Sequence, residues 1–134
     1  MQKYLFLIIV VFSVNLLSAQ TLKKERKNGL YGFINENKES VIDYQYQSVY
    51  DFYNEIVIVK KDSLWGFINT KNEIVVPIKY NMVQVYRTQN IVKAQENDLW
   101  YLFTLTGEPI LNKGFEEIGR IYKDKMMVRK NGKS

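Results

Sequence analysis

The sequence contains no cysteine and no histidine. Without a thiol there are no disulfides, and a bacterial-type lipid-anchored amino terminus is excluded. Without either residue, Ser-His-Asp and Cys-His nucleophilic systems and nearly all zinc sites are excluded as well. No Gly-rich phosphate loop occurs, and no loop of alternating acids around a central Gly that would hold calcium. The expectation is a chain with no metal and no cofactor. A sustained helical period is also lacking beyond the first 20 residues.

The one long apolar run is amino-terminal. In "MQKYLFLIIVVFSVNLLSAQ" a single cation, Lys3, precedes an unbroken stretch from Tyr4 to Phe12, the pattern of a secretory signal peptide. That stretch is short against the roughly 20 residues a membrane span needs, and Asn15 separates it from Leu16 and Leu17. Residues 1–19 are therefore read as a signal-peptide helix cleaved after Ala19, with an uncleaved anchor as the competing reading. The mature chain has no expected transmembrane span and is assigned outside the cytoplasm: periplasmic, at the cell surface or secreted, and not a lipoprotein. About 115 residues remain, enough for one core. The net charge of +5 falls to about +4 when Lys3 leaves, a weakly basic surface that reads as solvation. Export argues against a nucleic-acid partner; a protein or glycan partner fits better.

The chain repeats itself. "LYGFINENKES" from Leu30, "LWGFINTKNEI" from Leu64 and "LWYLFTLTGEP" from Leu99 align on Tyr31, Trp65 and Trp100, which are 34 and then 35 residues apart. In the same phase come Glu39, Glu73 and Glu108, then Tyr46, Tyr80 and Phe115, then Val49, Val83 and Ile118. An incomplete fourth copy starts near residue 126 and brings Asn131-Gly132 into the phase of Asn28-Gly29. Residues 20–29 are a lead-in, and 30–134 form one repeat domain.

Each unit reads as three short strands. Asn28-Gly29, Asp62-Ser63 and Asn97-Asp98 have the composition of two-residue hairpin turns, whose central residues need positive φ. A second reversal comes next, with Lys38, Asn72 and Gly107 at the left-handed position; in the first copy the adjacent Asn37 is the alternative. The third strands are Ser40–Ile42, Ile74–Val76 and Pro109–Leu111. "KKER" before Tyr31 has no apolar run, so the first unit is expected to lack its leading strand. Trp65 and Phe67 share one sheet face, Gly66 and Ile68 the other. The anchors are expected to stack on their counterparts in the next unit, and Gly32 and Gly66 to permit a close approach. Tyr101 replaces that Gly in the third copy.

Aromatic-Gly-Phe-Ile, then a polar turn, Glu, an apolar strand and Tyr-x-x-Val, at a period near 34, resembles the WG repeat (KWG repeat) family. The resemblance covers essentially the whole mature chain. It implies an all-β repeat array, often exported or appended to other domains, used as a binding or scaffolding surface, with no shared catalytic residues.

The fold expected is all-β, an antiparallel array of three-stranded units in a curved sheet or solenoid-like stack, with a small propeller as the alternative, since propeller blades usually have four strands. The structural positions are Tyr31, Gly32, Tyr46, Trp65, Gly66, Tyr80, Trp100 and Phe115. Glu39, Glu73 and Glu108 recur at one loop position and read as turn structure, while Asp43, Asp51, Glu116 and Glu117 show no mutual spacing suited to acid–base work. No catalytic residue is assigned. "DYQYQSVYDFY" places Tyr44, Tyr50 and Tyr53 outside the phase of the core ring Tyr46, which makes them the candidates for stacking on a sugar or peptide. The function expected is a non-catalytic binding or scaffolding module. A carbohydrate-active envelope enzyme, and a structural piece that docks or self-associates through open sheet edges, are the alternatives.

Overall fold

Asn28-Gly29, Asp62-Ser63 and Asn97-Asp98 hold both residues of each pair at positive φ, between 50° and 84°, so each reverses the chain in a two-residue turn whose twist matches the flanking strands. The computed structural model describes residues 21–122 and 125–129; the expected leader and the Asn131-Gly132 turn lie outside them. Among the described residues every regular element is a strand.

Four antiparallel sheets succeed one another along the chain. The first contains β1 (Lys23–Lys27), β2 (Leu30–Ile34) and β3 (Ser40–Tyr46); the second β4 (Ser48–Val49), β5 (Ile56–Lys61), β6 (Leu64–Asn69) and β7 (Ile74–Tyr80). The third contains β8 (Met82–Tyr86), β9 (Ile91–Glu96) and β10 (Leu99–Thr104), and the fourth β11 (Glu117–Tyr122) and β12 (Lys125–Arg129). Strand order within each sheet is the order along the chain.

Two expectations are corrected here, and one open alternative is resolved. The second sheet has four strands rather than three, because the segment after each third strand turns and pairs with the leading strand of the next unit. β4 and β8 are these additional strands. In β8, Val83 and Val85 alternate with exposed Met82 and Gln84 and pack on the core, so pairing with β9 satisfies main-chain groups and buries apolar surface together. Next, "KKERK" does form a leading strand: β1 pairs with β2 from Lys23↔Ile34 to Lys27↔Leu30 although all five residues are exposed. Main-chain hydrogen bonds to β2 suffice. Finally, Lys38 itself, at φ 63°, takes the left-handed position of the first copy, as Asn72 (62°) and Gly107 (86°) do in the others.

The sheets stack face on face. One face of the second sheet, with Val57, Val59 and Ile68, packs against Phe33, Ile42 and Tyr46 of the first. Its other face, with Ile56, Ile58, Phe67, Val76 and Tyr80, packs against Val92 and Ala94 of the third. A smaller cluster of Leu102, Phe115 and Ile118 joins the third to the fourth. The three anchors occupy equivalent places, paired as Tyr31↔Tyr46, Trp65↔Tyr80 and Trp100↔Phe115. They do not form the expected ring-on-ring column. Each is half-buried at the rim of its cluster, while the residue two positions on (Phe33, Phe67 or Leu102) is the one fully enclosed. A ring at the rim leaves one side for a cation, and Arg26 lies over Tyr31, Lys60 over Trp65 and Lys93 over Trp100.

The glycine after the anchor faces its own unit. Between the pairs Trp65↔Tyr80 and Phe67↔Val76, the three residues Pro77, Ile78 and Lys79 lie opposite Gly66 alone, a bulge that bends β7 across the strand. A Cβ on Gly66 would sit 2.7 Å from both the Ile78 Cα and the Val76 carbonyl oxygen. Gly32 lies under the same bulge, formed by Asp43, Tyr44 and Gln45. Where Tyr101 takes the glycine's place, the third strand reduces to single bridges at Pro109 and Phe115. The glycine has moved across to Gly114, whose Cβ would lie 2.9 Å from the Tyr101 ring.

Candidate functional site

The face-to-face stack leaves a cleft of about 430 Å³ between the outer strands of the second and third sheets. Tyr50, Asp51 and Tyr53, beyond β4, form one wall; Val83, Gln84, Val85, Tyr86 and Arg87 of β8 and its turn form the other; Ile56, Ile58 and Phe67 form the floor. The local sequence explains both walls. Asn54 and Glu55, at φ 45° and 65°, make a two-residue turn closed by the Tyr53↔Ile56 bridge, which returns the chain into β5 and holds Tyr53 at the rim. β8 presents Val83 and Val85 inward and leads Arg87 to the mouth.

Polar contacts brace the rim. The Tyr53 hydroxyl lies 2.9 Å from the Arg87 carbonyl oxygen and 3.0 Å from Asn90 Oδ1, its proton shared between two acceptors. The Arg87 guanidinium covers the Tyr53 ring at 5.1 Å. Asp51 pairs with Lys24 of β1 at 2.9 Å. Tyr50 is 55% exposed and tilts against Trp65, ring centroids 5.8 Å apart. An apolar floor with a few aromatic and polar groups at the mouth is the usual make-up of a ligand pocket.

At the next joint a lysine stands in the phase of Ile58. Lys93 stands seven residues before Trp100, as Ile58 does before Trp65. It is 8% exposed, lies 4.0 Å from the Trp100 ring and donates from Nζ to the Ile118 carbonyl oxygen at 3.2 Å. Burial pushes its ammonium below the ordinary lysine value, and the Glu117 charge opposes that shift. The lysine thus ties β9 to β11 across the third–fourth joint, whereas Ile58 contributes only apolar surface at the second–third joint.

Of the three surface tyrosines singled out from the sequence, Tyr50 and Tyr53 meet in the cleft and Tyr44 does not. Tyr44 belongs to the bulge over Gly32, on the outer side of the first sheet. It donates a hydrogen bond to Glu25 and lies under Lys27. That hydrogen bond, reinforced by burial and the Glu25 charge, raises its phenol above the ordinary 10.0. Sequence reasoning missed Arg87, although Tyr53 and Arg87 share one repeat phase, 34 residues apart.

The recurring glutamates brace turns. Asn35 Nδ2 donates to the Glu39 carboxylate, and Asn69 Nδ2 to that of Glu73. In return the Glu39 and Glu73 amides donate to the same asparagines, and the Glu108 amide to Thr104. Glu117 pairs with Arg129 at 2.9 Å. Among the described residues no group of three or more acids is placed to hold a metal, and no helix is long and apolar enough to cross a membrane.

No curated protein and no solved structure gives a significant match to the chain. The sequence profile described as WG containing repeat matches three times, at residues 31–65, 65–100 and 104–133. The first two matches begin and end on the anchor rings Tyr31, Trp65 and Trp100, the places where the sheets repeat. A profile that covers most of the chain in phase with its own sheets leaves one conclusion: the chain belongs to the WG containing repeat family.

Proposed function

We propose that this chain is an exported, non-catalytic binding module whose ligand enters the cleft between the second and third sheets. The observation that carries the reading is the open joint itself: an apolar floor, Tyr50 exposed at the mouth, and Arg87 and Tyr53 locked together at the rim. Glu39 and Glu73, the acids that recur with the repeat, are occupied by their own turns, which supports binding over acid–base chemistry. Export rests on the amino-terminal pattern of Lys3 and the apolar run behind it.

The test combines a glycan array and a peptide library, read on the full chain and on Tyr50→Ala. A ligand lost on Tyr50→Ala with an unchanged melting curve supports the proposal; ligands bound equally by both proteins would place recognition elsewhere. Mass spectrometry of the protein recovered from its native host should show residues 1–19 missing, and an intact amino terminus would overturn export.

The scaffolding alternative has one observation in its favour. β7 and β8 are edge strands of their sheets and can accept a partner strand. Light scattering across a concentration series would then show the mass rising, whereas a binding module of the kind proposed stays at one mass.

A further inference from the structure

The chemistry of the cleft narrows its ligand, an argument that rests on the cleft being the binding site. Its floor carries no polar side chain: Ile56, Ile58 and Phe67 are all buried in the second–third core. A sugar ring set on that floor would leave hydroxyls facing aliphatic carbon, each losing water without gaining a partner. An apolar body has no such cost.

The mouth carries one carboxylate, Asp51, which is ion-paired, and one cation, Arg87. The Arg87 main-chain carbonyl accepts from the Tyr53 hydroxyl, and its guanidinium lies on the face of the Tyr53 ring. Asp51, on the opposite wall, is held by Lys24, and among the described residues Arg87 forms no ion pair. A planar cation at the rim of an apolar pocket matches a carboxylate, whose two oxygens fit the fork of the guanidinium. We infer that the cleft binds a small amphipathic carboxylate, with its apolar body against Ile58, Val83 and Val85 and its anionic head at Arg87. The volume of about 430 Å³ lies at the small end of the range for ligand pockets, which fits a single short-chain or single-ring acid.

Octanoate and octanol are suitable matched probes, titrated by calorimetry into the full chain at low salt. The expected result is octanoate binding about tenfold tighter than octanol, with the advantage shrinking as salt is added and disappearing in Arg87→Gln. Arg87 is exposed, so this variant should keep the wild-type melting curve. Tyr50→Ala should weaken both probes together. Equal affinity for octanol and octanoate, or octanoate binding that survives Arg87→Gln, would overturn the inference. If octanoate does not bind while a glycan or peptide ligand is lost on Tyr50→Ala, the inference fails and the binding-module reading stands. If nothing that binds responds to Tyr50→Ala, both fail.

Discussion

Gly66 has no room for a methyl group. The atoms a Cβ would meet are the backbone of Val76 and Ile78 as well as a side chain, so relief requires moving β7 as a whole. Gly66→Ala should therefore cost about 2–3 kcal/mol, within the range for overpacked interiors, and lower the melting temperature by about 10 °C or more. Gly29→Ala is a useful contrast, since nothing lies within 4 Å of its Cβ and only its φ of 84° is against it; about 1 kcal/mol is expected. A pair of thermal melts separates the two, and equal losses would contradict the bulge account. Lys38 is the opposite case. It sits at φ 63° where its counterparts are Asn72 and Gly107, so Lys38→Gly should stabilise the fold by about 0.5–1 kcal/mol, read as a higher denaturant midpoint at unchanged slope.

At the scale of elements, Lys93 sets how β9 and β10 meet β11. With a folded-state pKa below the ordinary 10.5, it has a defined effect on stability. Below both values the amine is charged folded and unfolded, and the burial penalty acts in full against the fold. Between the lowered value and 10.5 the unfolded chain binds more protons than the folded one, so stability rises with pH; above 10.5 the penalty is gone. Tyr46 and Tyr80, raised by burial, act in the opposite direction at alkaline pH. The measurement is therefore a difference: the stability of the wild type minus that of Lys93→Met should increase as pH is raised toward 10.5. A flat difference would mean that Lys93 is not desolvated at this joint.

Across the whole molecule the joints are unequal. Among the described residues the first and second clusters each contain seven buried residues, the third Leu102, Phe115 and Ile118. In a stack held mainly by contacts between neighbours, local stability tracks joint size. Amide hydrogen exchange should be fastest in β11 and β12 and slowest in β5 and β6, whose two faces are both covered. Uniform protection across the four sheets would show the stack unfolding as one unit.

Much of this was legible in residue order, and the reason is local. A pair such as Asn28-Gly29 or Asp62-Ser63 selects its own turn through the φ it tolerates, and a ring every 34 or 35 residues marks the unit wherever that unit ends up. The phase, the hairpins and the braced glutamates could be read in that way. Relations between units could not. That Met82–Tyr86 joins the next sheet, that Gly66 yields to its own third strand, and that Lys93 is buried against β11 all depend on which faces meet in the stack. Those contacts are made across about one repeat of chain, where nothing local distinguishes a neighbour from solvent until the sheets have packed.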